Sequence, residues 1–152
     1  MKFISNTANS NHKLALCELL EWADKCILCT SFLDGKGVKH LSKPLSSGIK
    51  NRALEATIYS NGESKYTKSC AIREISKING LAHITTNGNR RLHSKVYYFE
   101  KGNDFTAIIG SANITHNGLV RNIELSTMVS GKTGSYEHQE IYSKLLELER
   151  EC

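Results

Sequence analysis

Leu92-His93-Ser94-Lys95-Val96-Tyr97-Tyr98-Phe99, followed by Gly110-Ser111-Ala112-Asn113 and then Asn122-Ile123-Glu124-Leu125, is the stretch that decides the fold. It contains three polar pairs, His93 with Lys95, Ser111 with Asn113 and Asn122 with Glu124, each spaced two residues apart. In extended chain, residues two apart point to the same side. Ser94, Ala112 and Ile123 then face away, and each strand end presents a matched pair to one location. Burying imidazole, ammonium, amide and carboxylate without partners costs several kcal/mol. The pairs are therefore expected to meet one another rather than to face the core.

Working outward, residues 93–100 and 104–109 read as two strands joined by a hairpin, with Lys101-Gly102-Asn103 as its turn. Gly118 closes a short turn, residues 122–129 form a further strand, and residues 136–151 form an amphipathic helix with Ile141, Leu145, Leu146 and Leu148 inward. Upstream, Leu14, Leu16, Leu19, Leu20 and Ala23 follow a helical period over residues 11–25. The apolar run 26–33 reads as a strand buried on both faces. A weaker helix at 37–49 is interrupted by Pro44 and Gly48, and strands at 54–60 and 81–86 flank a helix at 67–78. This alternation predicts an α/β fold, a mixed β-sheet sandwiched between helices, in a single domain over residues 1–152.

Phosphoryl chemistry has a use for each member of the polar set. An imidazole attacks phosphorus and forms a phosphohistidine, dividing one displacement into two easier ones. Ammonium, amide and hydroxyl donors hold the non-bridging oxygens, and a carboxylate fixes the imidazole's tautomer. No metal is required by this scheme, and no cofactor is expected.

His93-Ser94-Lys95, Gly110-Ser111-Ala112-Asn113 and Asn122-Ile123-Glu124-Leu125 together resemble the HxK…GSxN…E signature of the phospholipase D superfamily, over residues 92–125. The nearest likeness is to its nuclease branch, including the phospholipase D-like restriction endonucleases that cut without metal. The resemblance implies a phospholipase D-like fold with His93 as nucleophile, Lys95 and Asn113 gripping the phosphate, and Glu124 orienting a catalytic histidine. Gly110, Ser111 and Asn122 would assist in binding substrate. Arg90 and Arg91, from their place just ahead of the motif, are expected either to contact phosphates outside the reacting group or to form a solvated face. The sequence departs from the family pattern where an acid follows the lysine: Glu100 stands there, with Asp104 beyond the hairpin turn, and both are assigned to structure.

Family members use two such motifs, the second histidine protonating the leaving oxygen, whereas this chain contains one HxK. The resemblance therefore implies a homodimer with His93 of both subunits facing one phosphate. The expected partner is DNA, with RNA as the alternative, and sequence-specific cutting would call for an additional domain or subunit. Competing expectations are cleavage of phospholipid and a catalytically inactive module that binds nucleic acid.

The remaining composition narrows the class. A net charge of +5 favours an anionic partner. Five cysteines, an odd number, predict a reduced, cytoplasmic protein, and no run approaches the apolar length of a signal core or a membrane span. Cys26 and Cys29 have the spacing of a metal knuckle, but a strand sends them to opposite faces, and no second pair follows. Tyr97, Tyr98 and Phe99 read as core rather than a stacking platform, and His116 reads as a loop residue near the site. Lys36, Lys39 and Lys43 form a more distant basic stretch.

Overall fold

The computed structural model describes residues 1–152. Its elements are β1 (Lys2–Ser5), α1 (His12–Trp22), β2 (Lys25–Cys29), α2 (Gly35–Arg52), β3 (Glu55–Ser60), α3 (Ser69–Ser76), β4 (Ala82–Thr85), β5 (Val96–Lys101), β6 (Asp104–Gly110), β7 (Leu125–Lys132) and α4 (Tyr136–Arg150). A five-residue π-turn, Asn117–Arg121, connects β6 to β7 and contains Gly118 within it rather than ending on it.

The seven strands form one sheet in the order β1-β7-β6-β5-β2-β3-β4. The strands β2, β3 and β4 run parallel, and β5 is antiparallel to β2. The pairs β5–β6, β6–β7 and β7–β1 are antiparallel as well. These directions place the C-terminal ends of β2, β3 and β6 and the N-terminal ends of β5 and β7 along the same edge of the sheet. That edge is where the polar pairs emerge.

Strand alternation divides the core into two layers. Cys26, Leu28, Tyr97, Phe99 and Ile108 pack with Leu16 and Leu20 of α1, Leu41 and Leu45 of α2 and Ile75 of α3. Ile27, Cys29, Tyr98, Phe105 and Ala107 form the opposite layer with Leu145 of α4. The two thiols thus lie on opposite faces, and burial pushes each up to about 12, which keeps them as neutral packing groups. Tyr97, Tyr98 and Phe99 are buried as expected. Leu146, expected inward, is exposed; Ile141 and Leu148 pack partly buried around Leu145.

Pro44 and Gly48 do not break α2, which runs through both. Proline removes the N–H that would bond the carbonyl four residues earlier. That carbonyl belongs to His40, and it accepts instead from the Cys17 thiol at 3.4 Å. The start of the helix is fixed by Asp34, whose carboxylate caps the Gly37 N–H at 2.7 Å. Gly37 is required there, because a Cβ would stand 2.2 Å from the carbonyl oxygen of Ile114. The N-terminus of α2 is thereby pressed against the loop that carries Asn113.

The strand β1 carries too little alternation over four residues to be read as one, since only Ile4 is buried. Its pairing with β7, from Lys2 opposite Met128 to Ser5 opposite Leu125, creates it. No helix is long and apolar enough to cross a membrane.

Candidate active site

His93 and Lys95 lie in the segment just ahead of β5 rather than inside the strand, and Glu124 lies just ahead of β7. Ser111 and Asn113 follow β6 directly. Backbone bonds from Gly110 N–H to the Lys95 carbonyl, 3.2 Å, and from Ser111 N–H to the Leu125 carbonyl, 3.2 Å, tie the three segments together. Gly110 permits this closeness, because a Cβ there would meet Ser126 Oγ at 2.1 Å.

Lys95 Nζ donates to the His93 carbonyl at 2.7 Å and stands 3.3 Å from His93 Nδ1. Partial burial pulls the Lys95 ammonium below its ordinary value, while the Glu124 carboxylate acts in the opposite direction. Ser111 Oγ donates to Glu124 Oε2 in a short contact and accepts from the Leu125 N–H at 3.1 Å. Asn122 Nδ2 donates to Glu124 Oε1 at 3.3 Å. Ser111 and Asn122 thus hold Glu124 in place. The partners of Glu124 include no histidine of this chain.

Asn113 is anchored from the other side. Its Oδ1 accepts from the Phe32 N–H at 3.0 Å, just past β2, which fixes the amide orientation and leaves Nδ2 as the free donor group. The arginines diverge from the set. Arg90 pairs with Glu151 at 2.9 Å, and the Arg91 guanidinium lies 4.8 Å over the Tyr66 ring. Both still line one open pocket with His93. Glu100 accepts from Tyr98 Oη at 2.6 Å toward the far end of β5, and Asp104 pairs with Lys132, so both serve the hairpin. His116 packs against His40, with ring nitrogens 2.9 Å apart.

Two buried networks behind these residues escaped the reading of spacing. His12 donates from Nδ1 to Asn6 Oδ1 at 2.7 Å, and its Nε2 meets Ser126 Oγ at 2.8 Å. Asn6 Nδ2 in turn donates to the Gly118 and Asn122 carbonyls at 2.8 and 3.1 Å. This chain of bonds steadies the segment that carries Glu124. In the second network, Asn61 accepts from the Leu92 N–H at 2.8 Å and donates to the Leu92 carbonyl at 2.6 Å and the Ser31 carbonyl at 3.0 Å. It clamps the backbone immediately before His93. Spacing could not reveal either network, because the links that tie each to the site span 30 or more residues, as His12 to Ser126 and Asn61 to Leu92 and Ser31 do.

Asn61→Ala would leave both polar groups of the buried Leu92 backbone unpaired, at a cost of about 2 kcal/mol. A urea unfolding midpoint that does not move would show that water replaces the amide. A second consequence concerns acid. Burial lowers the values of His12 and, with Ser60 Oγ 2.8 Å away, of His83. Both rings stay neutral in the folded state at a pH where the unfolded chain already takes up protons. Stability is therefore full above about 6.5, the unfolded value, and declines as the pH falls from there toward the lowered folded values. Thermal melts between neutral and mildly acidic pH should show the decline, and His12→Gln should reduce the slope.

The fold that carries this cluster is the phospholipase D-like α/β sheet. The chain is similar to Nuc, a phospholipase D family member from Salmonella typhimurium, with TM-score 0.72 and 16% identity over 99% of this chain and 91% of that one. NucT from Helicobacter pylori superposes with TM-score 0.67 at 13% identity, covering 99% and 96%. A yeast tyrosyl-DNA phosphodiesterase variant gives TM-score 0.53 at 15% identity, covering 88% and 33%. At these identities the likeness establishes architecture. Family membership comes from the sequence itself: residues 16–146 match the family described as cardiolipin synthase, PLD-like domain, and the chain belongs to this phospholipase D-like family. No curated protein matches it in sequence.

Proposed function

We propose that the chain is a metal-independent phosphodiesterase, a DNA endonuclease acting through a covalent phosphohistidine in a site shared by two copies. The observation that carries this is the convergence of His93, Lys95, Asn113 and Glu124 at one sheet edge, with Ser111 and Asn122 holding the carboxylate. In the first step a ring nitrogen of His93 attacks phosphorus, and the bond from phosphorus to the leaving oxygen breaks. That oxygen takes its proton from the imidazolium of His93 in the second copy. Water then attacks the phosphohistidine, giving its proton to the same imidazole, and the P–N bond breaks to release a phosphomonoester. Lys95 and Asn113 Nδ2 hold the non-bridging oxygens throughout.

Three observations support the second copy. His93 is exposed, Glu124 lacks a histidine partner within the chain, and Ile109, Ile123 and Leu125 expose apolar surface beside the site. A two-fold axis at this edge would cover the apolar rim and give each Glu124 access to an imidazole across it. The net charge of +5 and the arginines bordering the His93 pocket suit a polyanionic phosphodiester such as DNA. All five cysteines are free, which suits a reducing, cytoplasmic setting. Selection of a particular cutting site would belong to a further domain or subunit.

The test is cleavage of plasmid, single-stranded DNA and phosphatidylglycerol vesicles in excess EDTA by the purified protein, separated by size into its oligomeric fractions. DNA cleavage without lipid turnover is expected. Lipid turnover alone would replace the DNA reading, and activity confined to a monomeric fraction would remove the shared site.

A further inference from the structure

Phe32 lies three residues past the end of β2, yet it does not join the core: the residue is 38% exposed. It is also held rigidly. Its N–H is bonded to Asn113, and its carbonyl accepts from Thr30 Oγ1 at 2.7 Å. The next residue, Leu33, exchanges backbone bonds with the segment after Asn61, donating to Tyr66 at 2.9 Å and accepting from Lys68 at 3.0 Å. The Tyr66 ring meets the Phe32 ring edge to face, with centroids 5.0 Å apart and planes at 70°. Two cations, Lys65 at 5.1 Å and Arg91 at 4.8 Å, lie over Tyr66. Phe32, Tyr66 and Lys68 line the same open pocket as Asn113 and Asn122.

A partly exposed aromatic side chain locked beside the Asn113 amide, and braced by a ring that carries two cations, matches what a base adjoining the reacting phosphate requires. Each base offers a π-face of its own, so such stacking tolerates any sequence, and neighbouring phosphates are met by Lys and Arg. We infer that Phe32, braced by Tyr66, is a stacking subsite for the nucleobase next to the scissile phosphate, with Arg91 and Lys68 taking the flanking phosphates. A base stacked there has left its duplex partner, so the preferred substrate is single-stranded nucleic acid. This inference rests on the phosphodiesterase reading and specifies its substrate.

The experiment is a cycle in which the base and the ring are removed separately. Affinities of a short oligothymidylate and an abasic strand of equal length are measured by fluorescence anisotropy, on the His93→Ala background so that turnover does not consume the probe. With Phe32 present, thymidylate should bind roughly 5- to 150-fold more tightly than the abasic strand. Phe32→Leu, which keeps apolar bulk, should remove most of that ratio, and Phe32→Trp should keep it. An unchanged ratio in Phe32→Leu, or equal affinities for the two strands before substitution, would overturn the subsite. A purely structural role for Phe32 would weaken both strands equally and leave the ratio intact, which also overturns it. Cleavage by the protein with His93 intact is scored separately: its failure would strike the phosphodiesterase reading, not the stacking result.

Discussion

His93→Ala is expected to reduce phosphodiester turnover by on the order of 10⁴-fold or more, as removal of a covalent nucleophile does, while DNA affinity changes little. The ring is exposed and its only side-chain neighbour by hydrogen bonding is Lys95, so truncating it leaves the core and the Asn61 clamp untouched. The variant should therefore melt within about 0.5 kcal/mol of the parent. In a shared site each centre needs one histidine as nucleophile and one as acid, so a mixed dimer with one His93→Ala subunit should also be strongly impaired. Single-turnover assays in excess EDTA, with matched oligomeric state, measure both. Turnover near the parent level would remove His93 from the chemistry and leave the polar cluster as a binding surface.

The order of alternating elements was legible because residues 26–29 and 97–99 are apolar on consecutive positions, as a sheet covered on both faces demands. The candidate pairs stood out because they keep a two-residue spacing even outside the strands proper. What spacing could not give was direction. Ser111 and Asn122 share their periodicity with Asn113 and Glu124, but their polar atoms turn onto the Glu124 carboxylate rather than outward. Pro44 was misread for a similar reason: the donor that satisfies the His40 carbonyl is Cys17, in another helix. His12, Asn61 and Phe32 carry no local signature, and each acquires meaning only from chain segments that the fold brings beside it.

Lys95→Ala tests a different part of the arrangement, since it leaves the proposed nucleophile, His93, and removes the charge beside it. Lys95 Nζ is tied to the His93 carbonyl at 2.7 Å and is partly buried, so its position is set before any substrate arrives. Such preorganised charge is worth more in the transition state, where negative charge grows on the phosphoryl oxygens, than in the bound ground state. The expected loss is roughly 3 kcal/mol, about 150-fold, and it should fall on kcat more than on KM. Lys95→Arg should recover only a fraction, because a planar guanidinium cannot reproduce a compact ammonium held between the His93 carbonyl and the substrate. The same loss distributed wholly into KM would mean that Lys95 only gathers substrate by long-range attraction, and raising salt would then erase the difference between variant and parent. A loss in kcat that survives high salt would place the ammonium on the reacting phosphate.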